Sequence, residues 1–260
     1  MVTAAAAPRA VNQWVDAVYV LTVRGYTGRQ AHIERQLASH GISFRFLFAH
    51  DVPDMDPALV AATFGDSDLK PPHQSLVLKN IEVWRDAAVQ GYARVLVFED
   101  DAVLAPDFPA RFDAAMQAAA QLAPGWMVFL GGVDTKVPDR YFLEPGPLVE
   151  LPMATAEGCV HDALAMQRRL RWLEANRVTL AADHLMRHVD AAQGTRQFWL
   201  RHPIVEQGSV VGLFDSELDS HRRRHGRTYN ILRNRWNKFQ RRRLREWTVR
   251  MKAAFGLAQR

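Results

Sequence analysis

Two periodicities alternate along the first half of the chain. Ala17-Val18-Tyr19-Val20-Leu21 is an unbroken apolar run, short and rich in strand-forming residues, which predicts a buried strand. A polar turn with Gly25 and Gly28 follows. The stretch 29–40 then carries Ile33 and Leu37 four apart, the spacing of one helix face. Gly41 stops that helix, and Phe44-Arg45-Phe46-Leu47-Phe48 predicts a second strand running into His50-Asp51. Residues 53–72 show little periodicity and read as a long excursion with a short helix over 57–63. Leu76, Val77, Ile81, Trp84 and Ala88 recur at helical spacing over 74–90, closed by Gly91. The run Val95-Leu96-Val97-Phe98 is a third strand, and it ends in Glu99-Asp100-Asp101. A helix over 108–121 and a fourth strand over 126–130, ending in Gly131-Gly132, continue the alternation. Later come extended pieces at 148–151 and 159–166, helices over 167–176 and 183–192, and a closing stretch over 198–212. Strands separated by helices predict an α/β domain whose mostly parallel sheet is covered by helices. Ligands of such sheets gather at the carboxyl ends of strands, where the acidic triplet and the Gly pair fall.

Charge divides this picture in two. Residues 1–220 hold 19 Lys and Arg against 27 Asp and Glu, whereas 221–260 hold 14 against one. The high isoelectric point therefore belongs to a C-terminal appendix, and we delimit an acidic α/β domain at 12–220 and a basic extension at 221–260. The single cysteine, Cys159, excludes an internal disulfide and a zinc ribbon. With no apolar run of the roughly 18 residues a span requires and no signal-like start, a cytosolic setting is expected.

Three adjacent carboxylates at a strand end repel one another unless a cation neutralises them. Mg²⁺ or Mn²⁺, shared with the oxygens of a diphosphate, would satisfy them; a solvated strand-to-turn connection is the plainer alternative. Around this triplet the chain resembles the family 25 glycosyltransferases, a bacterial lipopolysaccharide-synthesis group to which animal collagen galactosyltransferases are related. The opening Val18-Tyr19-Val20-Leu21-Thr22-Val23-Arg24 with Arg29 and Arg35 is similar to the family's first strand and arginine-bearing turn, with Leu-Thr for the usual Asn-Leu. Ser75-Leu76-Val77-Leu78-Lys79-Asn80 resembles its Ser-Leu-x-x-Lys-His helix, with Asn80 in place of His. Residues 95–104 resemble its metal-binding strand end, and His161-Asp162-Ala163-Leu164 stands where Thr-Asp-Ala-Tyr is common. Ala182-Asp183-His184-Leu185, Trp199 to Pro203, Glu206-Gln207-Gly208-Ser209 and Phe214-Asp215-Ser216 resemble its C-terminal signature.

The resemblance spans roughly 16–220 and implies a GT-A type, Rossmann-like fold, a nucleotide-sugar donor, Mn²⁺ or Mg²⁺, and transfer that inverts the anomeric centre. By analogy with the D-x-D pattern of such enzymes, Asp101 is the first choice for metal, with Glu99 or Asp100 reaching ribose, sugar or metal. Asp183 is the expected base toward the acceptor hydroxyl, with helix N-capping as its other role. Thr22, Arg24 and Arg29 are candidates for the donor, the arginines by pairing with diphosphate or uridine unless they are plain surface cations. Lys79 would meet a phosphate if it faces the cleft, and Gln207-Gly208-Ser209 is a tight turn whose amides and hydroxyl, through Gln207 and Ser209, would approach the diphosphate. His202 is a possible further metal ligand, though packing or exposure is its ordinary role. His184 and His188, four apart, lack a third zinc ligand and fit surface or packing roles. The function expected is hexosyl transfer from a UDP-sugar, UDP-galactose or UDP-glucose, to a lipopolysaccharide-core or related acceptor. A nucleotidyltransferase using a nucleoside triphosphate is an alternative, as is a non-catalytic binder of nucleic acid or anionic lipid.

In the basic extension, Leu232, Trp236, Phe239, Leu244, Trp247, Met251 and Phe255 fall within roughly 160° of arc at ~100° per residue, with arginines filling much of the remainder. A cationic amphipathic helix of this kind suits an anionic membrane interface and a glycolipid acceptor at the cytoplasmic face. Packing on the acidic body, or binding of nucleic acid through Arg222-Arg223-Arg224 and Arg241-Arg242-Arg243, are the alternatives.

Overall fold

A computed structural model describes residues 8–132, 136–152, 155–214 and 227–256. The first half runs β1 (Ala17–Leu21), α1 (Thr27–Ser39), β2 (Arg45–Leu47), α2 (Pro57–Thr63), α3 (Pro71–Gln90), β3 (Arg94–Glu99), β4 (Ala102–Leu104), α4 (Phe108–Ala119) and β5 (Trp126–Phe129). The second half adds α5 (Arg140–Leu143), β6 (Leu148–Glu150), β7 (Gly158–Asp162), α6 (Ala163–Ala175), α7 (Ala182–Gln193), β8 (Arg196–Leu200) and β9 (Val205–Gln207). Seven strands form one sheet in the order β2-β1-β3-β7-β5-β8-β6. Five of them share a direction, while β7 and β6 run against their neighbours. This is the α/β, Rossmann-like, mostly parallel architecture expected from the alternation of strands and helices.

Both faces of the sheet are covered, because successive side chains of a strand point to opposite sides. Tyr19, Val95 and Val97 pack with Ile81 and Trp84 of α3. Val18, Val20, Leu96 and Phe98 pack with Ile33 and Leu37 of α1 and with Phe108 and Phe112 of α4. Burial on both sides is why β1 and β3 appear as continuous apolar runs. Cys159 lies buried in β7, whose neighbours on either side are β3 and β5.

Three local outcomes differ from expectation. The extended piece expected over 159–166 stops at Asp162, whose carboxylate accepts the Ala165 amide at 2.7 Å and caps α6, so that helix begins earlier. The three-residue strand β4 carried too little pattern to show, yet it pairs antiparallel with β9 and brings the turn after Gln207 onto the acidic triplet. The basic extension is two helices, α8 (Arg227–Lys238) and α9 (Arg245–Ala254), joined by a π-helical turn over Phe239–Leu244. The 220/221 boundary and Arg222-Arg223-Arg224 lie outside the described residues.

The extension packs on the body. The Arg242 guanidinium donates to the Gly132 carbonyl at 2.6 Å and stacks over Tyr141. Arg245 donates to Asp139 at 2.6 Å, Lys238 pairs with Glu206, and Val249 is buried against the body's core. No helix of the described residues is long and apolar enough to cross a membrane.

Candidate functional site

Strand β3 is buried from Val95 to Phe98, then delivers Glu99, Asp100 and Asp101 to a cleft at the carboxyl edge of the sheet. The cleft is open to solvent and is also lined by Thr22, Tyr26, Arg29, Ser75, Lys79, Gln207 and Ser209.

Each carboxylate is held differently. Asp100 is buried and accepts the Thr22 hydroxyl at 2.7 Å on one oxygen and the Arg29 guanidinium at 3.1 Å on the other. Burial pushes its pKa up despite these two partners. Asp101, 2% exposed, accepts the Ser209 amide on Oδ2 at 2.9 Å, while its buried Oδ1 has no hydrogen-bond partner. Its carbonyl accepts the Gly208 amide at 2.7 Å, and a Cβ on Gly208 would stand 2.6 Å from that same carbonyl. Glycine is thus required for the turn to press on the triplet. Glu99 is raised well above the usual carboxylate range, first by burial and then by the charges of Asp101, Glu157, Asp100 and Asp183.

The two cations of the lining are already engaged. Arg29 pairs with Asp100 and lies over the rings of Tyr26 and Phe214. Lys79 is buried, donating to Asp51 at 2.7 Å and to the Ala49 carbonyl at 2.6 Å; burial lowers its pKa and Asp51 opposes the fall. The cleft therefore presents an acidic floor with neutralised basic walls.

The expected residues separate in space. Thr22, Arg29, Lys79, Glu99, Asp100, Asp101, Gln207 and Ser209 come together in the lining. Arg24 does not: its side chain turns outward to Asp54 at 3.1 Å and the Phe48 carbonyl at 3.2 Å, because the segment that follows β2 supplies those acceptors. His202 is likewise outside the lining, surrounded by the charges of Glu246, Arg111, Arg201 and Arg250. Burial there depresses its pKa. Asp183 is not the N-cap, a position held by Ala181; it sits in the first turn of α7, its carboxylate accepting the His184 amide at 2.8 Å. It is also outside the lining, though its charge reaches Glu99. His184 and His188 are exposed, and His188 meets Trp172 edge-on.

Glu157 is the carboxylate that the sequence left unmarked. It precedes β7 and accepts the Gly132 amide, and its charge bears on Glu99 from the neighbouring strand. No local motif signals it, since its partners come from the pairing of β7 with β3. His161 and Asp162, in the segment resembling Thr-Asp-Ala-Tyr, belong to the interior and to the α6 cap.

No family model and no curated protein matches the chain. Among solved structures it is similar to a mannose-1-phosphate geranyltransferase from Thermus thermophilus, at 14% identity and a TM-score of 0.30. That alignment covers 70% of this chain and spans 58% of the other. A superposition this loose leaves activity and substrate to be argued from the site.

The site favours one kind of ligand on electrostatic grounds. A bare anion would face Glu99, Asp100 and Asp101, and a bare hydrophobe would leave them desolvated. A divalent cation carried together with a diphosphate meets both the acidic floor and the orphaned Asp101 oxygen. Among the described residues no three His, Cys, Asp or Glu side chains are grouped so that they could hold a metal ion, so much of an ion's coordination would fall to the ligand and water.

Proposed function

We propose that the chain is a metal-dependent, inverting glycosyltransferase resembling family 25, using a nucleotide-sugar donor such as UDP-galactose or UDP-glucose. Its acceptor is a lipopolysaccharide core or related surface glycan, met at the cytoplasmic face of a membrane. The observation that carries the proposal is the buried Oδ1 of Asp101 at the carboxyl end of β3, without a hydrogen-bond partner among the described residues and set in the cleft that Thr22, Arg29, Glu99 and Ser209 line.

In this mechanism Asp101, with Asp100 or Glu99, would hold Mn²⁺ or Mg²⁺. When bound, the ion supplies positive charge to a departing diphosphate. Arg29 and Thr22 keep Asp100 fixed, and the Gln207-Gly208-Ser209 turn locks Asp101 from the other side. Lys79 and Asp51 brace the wall. Asp183, beyond the cleft but within electrostatic reach of Glu99, takes the acceptor proton.

The test is nucleoside diphosphate release from UDP-, GDP- and ADP-sugars, and CMP release from CMP-sugars, with Mn²⁺ or EDTA and a panel of saccharide acceptors. Metal-dependent release from one donor is expected, falling by about 10²-fold or more in Asp101→Asn, the scale of a lost electrostatic group. Asp183→Asn is expected to lose transfer while keeping donor binding. Pyrophosphate release from a nucleoside triphosphate would indicate a nucleotidyltransferase instead, and wild-type turnover in Asp101→Asn would overturn the assignment.

A further inference from the structure

The basic extension turns its polar face inward and its apolar face outward. Leu232 is 61% exposed, Trp236 56%, Trp247 61% and Phe255 69%, and Phe239, Leu244 and Met251 are exposed beside them. Large apolar side chains in a continuous exposed row mark a surface that something covers.

The π-helical turn organises that row. On an uninterrupted helix the seven side chains spread over roughly 160°. A π turn inserts one extra residue, which rotates everything after it back by about 100°. With that correction the seven fall within roughly 80° on a rod of α8 and α9 about 40 Å long. Arg242, Arg245 and Val249, the residues that dock on the body, fall on the opposite side. Exposed cations line both margins of the stripe, Arg235 and Arg243 along one and Arg233 and Lys252 along the other.

We infer that this face is a docking surface for a bilayer containing anionic lipids, on which α8 and α9 lie flat. The stripe would enter the boundary between headgroups and acyl chains, with the flanking cations at the level of lipid phosphates. Two other occupants fit less well. A second copy would set one cation-rimmed stripe against another, and a nucleic acid would meet the arginines but leave two tryptophans in water. The inference stands independently of the transferase proposal. The two converge in one respect: Lys238 pairs with Glu206, next to Gln207 of the cleft, and Arg242 holds Gly132, just past the carboxyl end of β5. The docking helices and the cleft thus share an edge of the sheet.

The experiment is flotation of the full chain with phosphatidylcholine vesicles, with or without 30% phosphatidylglycerol, beside light scattering and binding to a single-stranded RNA 20-mer. Wild type is expected to float with the anionic vesicles and far less with the neutral ones. Trp236→Ser with Trp247→Ser should abolish flotation at an unchanged melting temperature, because both side chains are exposed. Arg235→Gln with Arg243→Gln should weaken partitioning by roughly 25-fold, about fivefold for each cation at an anionic surface. Three results would overturn the proposal: no flotation of wild type, undiminished flotation of the double tryptophan variant, or self-association abolished by that variant in a protein that ignores vesicles. RNA binding that survives the tryptophan changes, without vesicle binding, would assign the face to nucleic acid. Donor turnover bears on none of these outcomes.

Discussion

Glu99 shares its surroundings with four other carboxylates, Asp100, Asp101, Glu157 and Asp183, and its raised pKa has a consequence for stability. Between its ordinary value of 4.5 and its raised value, the folded protein holds a proton that the unfolded chain has released. Stability contributed by that proton is complete below pH 4.5 and is lost as pH rises through the folded pKa. Glu99→Gln is therefore expected to raise the melting temperature at pH 7, with the gain vanishing toward pH 4.5; thermal melts across that range decide it. A stabilising change at the centre of a site is the usual trade between stability and activity. Much of this cluster was legible, because three acids closing an apolar strand have few structural uses. Glu157 was not, since it reaches Glu99 through strand pairing rather than chain proximity. Arg24 and Arg29 were not distinguishable either: both follow β1, and only the start of α1 at Thr27 turns Arg29 toward Asp100 while Arg24 stays in the loop.

At the level of elements, β1, β3, α3, α4 and α7 matched their patterns, while α6 began earlier than its pattern because Asp162 caps it. Short elements escaped because three residues carry no measurable period, and as strands β4 and β9 pair with each other alone. The π turn escaped for another reason. Its sequence, Phe239-Gln240-Arg241-Arg242-Arg243-Leu244, is as helix-compatible as its flanks, and the extra residue follows from docking Arg242 and Val249 on one side while the apolar stripe stays aligned on the other. Deleting Gln240 is expected to convert the turn to ordinary α-helix while leaving the stripe aligned, because it removes the one extra residue that the turn accommodates. Circular dichroism should then change little, and association with anionic vesicles should persist; loss of association would show that the π turn itself, rather than the stripe, is needed.

Across the whole molecule, the covered sheet encloses a polar network at its centre. Arg169 is fully buried, donating to both oxygens of Asp190 at 2.8 and 2.7 Å and to His161 Nδ1 at 2.6 Å. A guanidinium only donates, so the neutral imidazole carries its proton on Nε2, toward the Cys159 sulfur at 3.2 Å. Burial and Arg169 hold His161 well below its ordinary pKa, in keeping with that neutral state. Asp190→Ala would strand the buried Arg169 charge at a cost of about 3–5 kcal/mol. A fall in melting temperature of roughly 10 °C is expected, and Arg169→Met combined with Asp190→Leu should recover most of it.

The only thiol of the chain belongs to this network. Cys159 sits in the middle strand of the sheet, sealed from solvent, with burial pushing its thiol well up. The thiolate is the reactive form, so alkylating reagents meet nothing while the sheet is closed. The molecule thus carries a built-in clock: the pace at which it takes up a thiol label in native buffer counts the openings of its own centre, with no second cysteine to confuse the record.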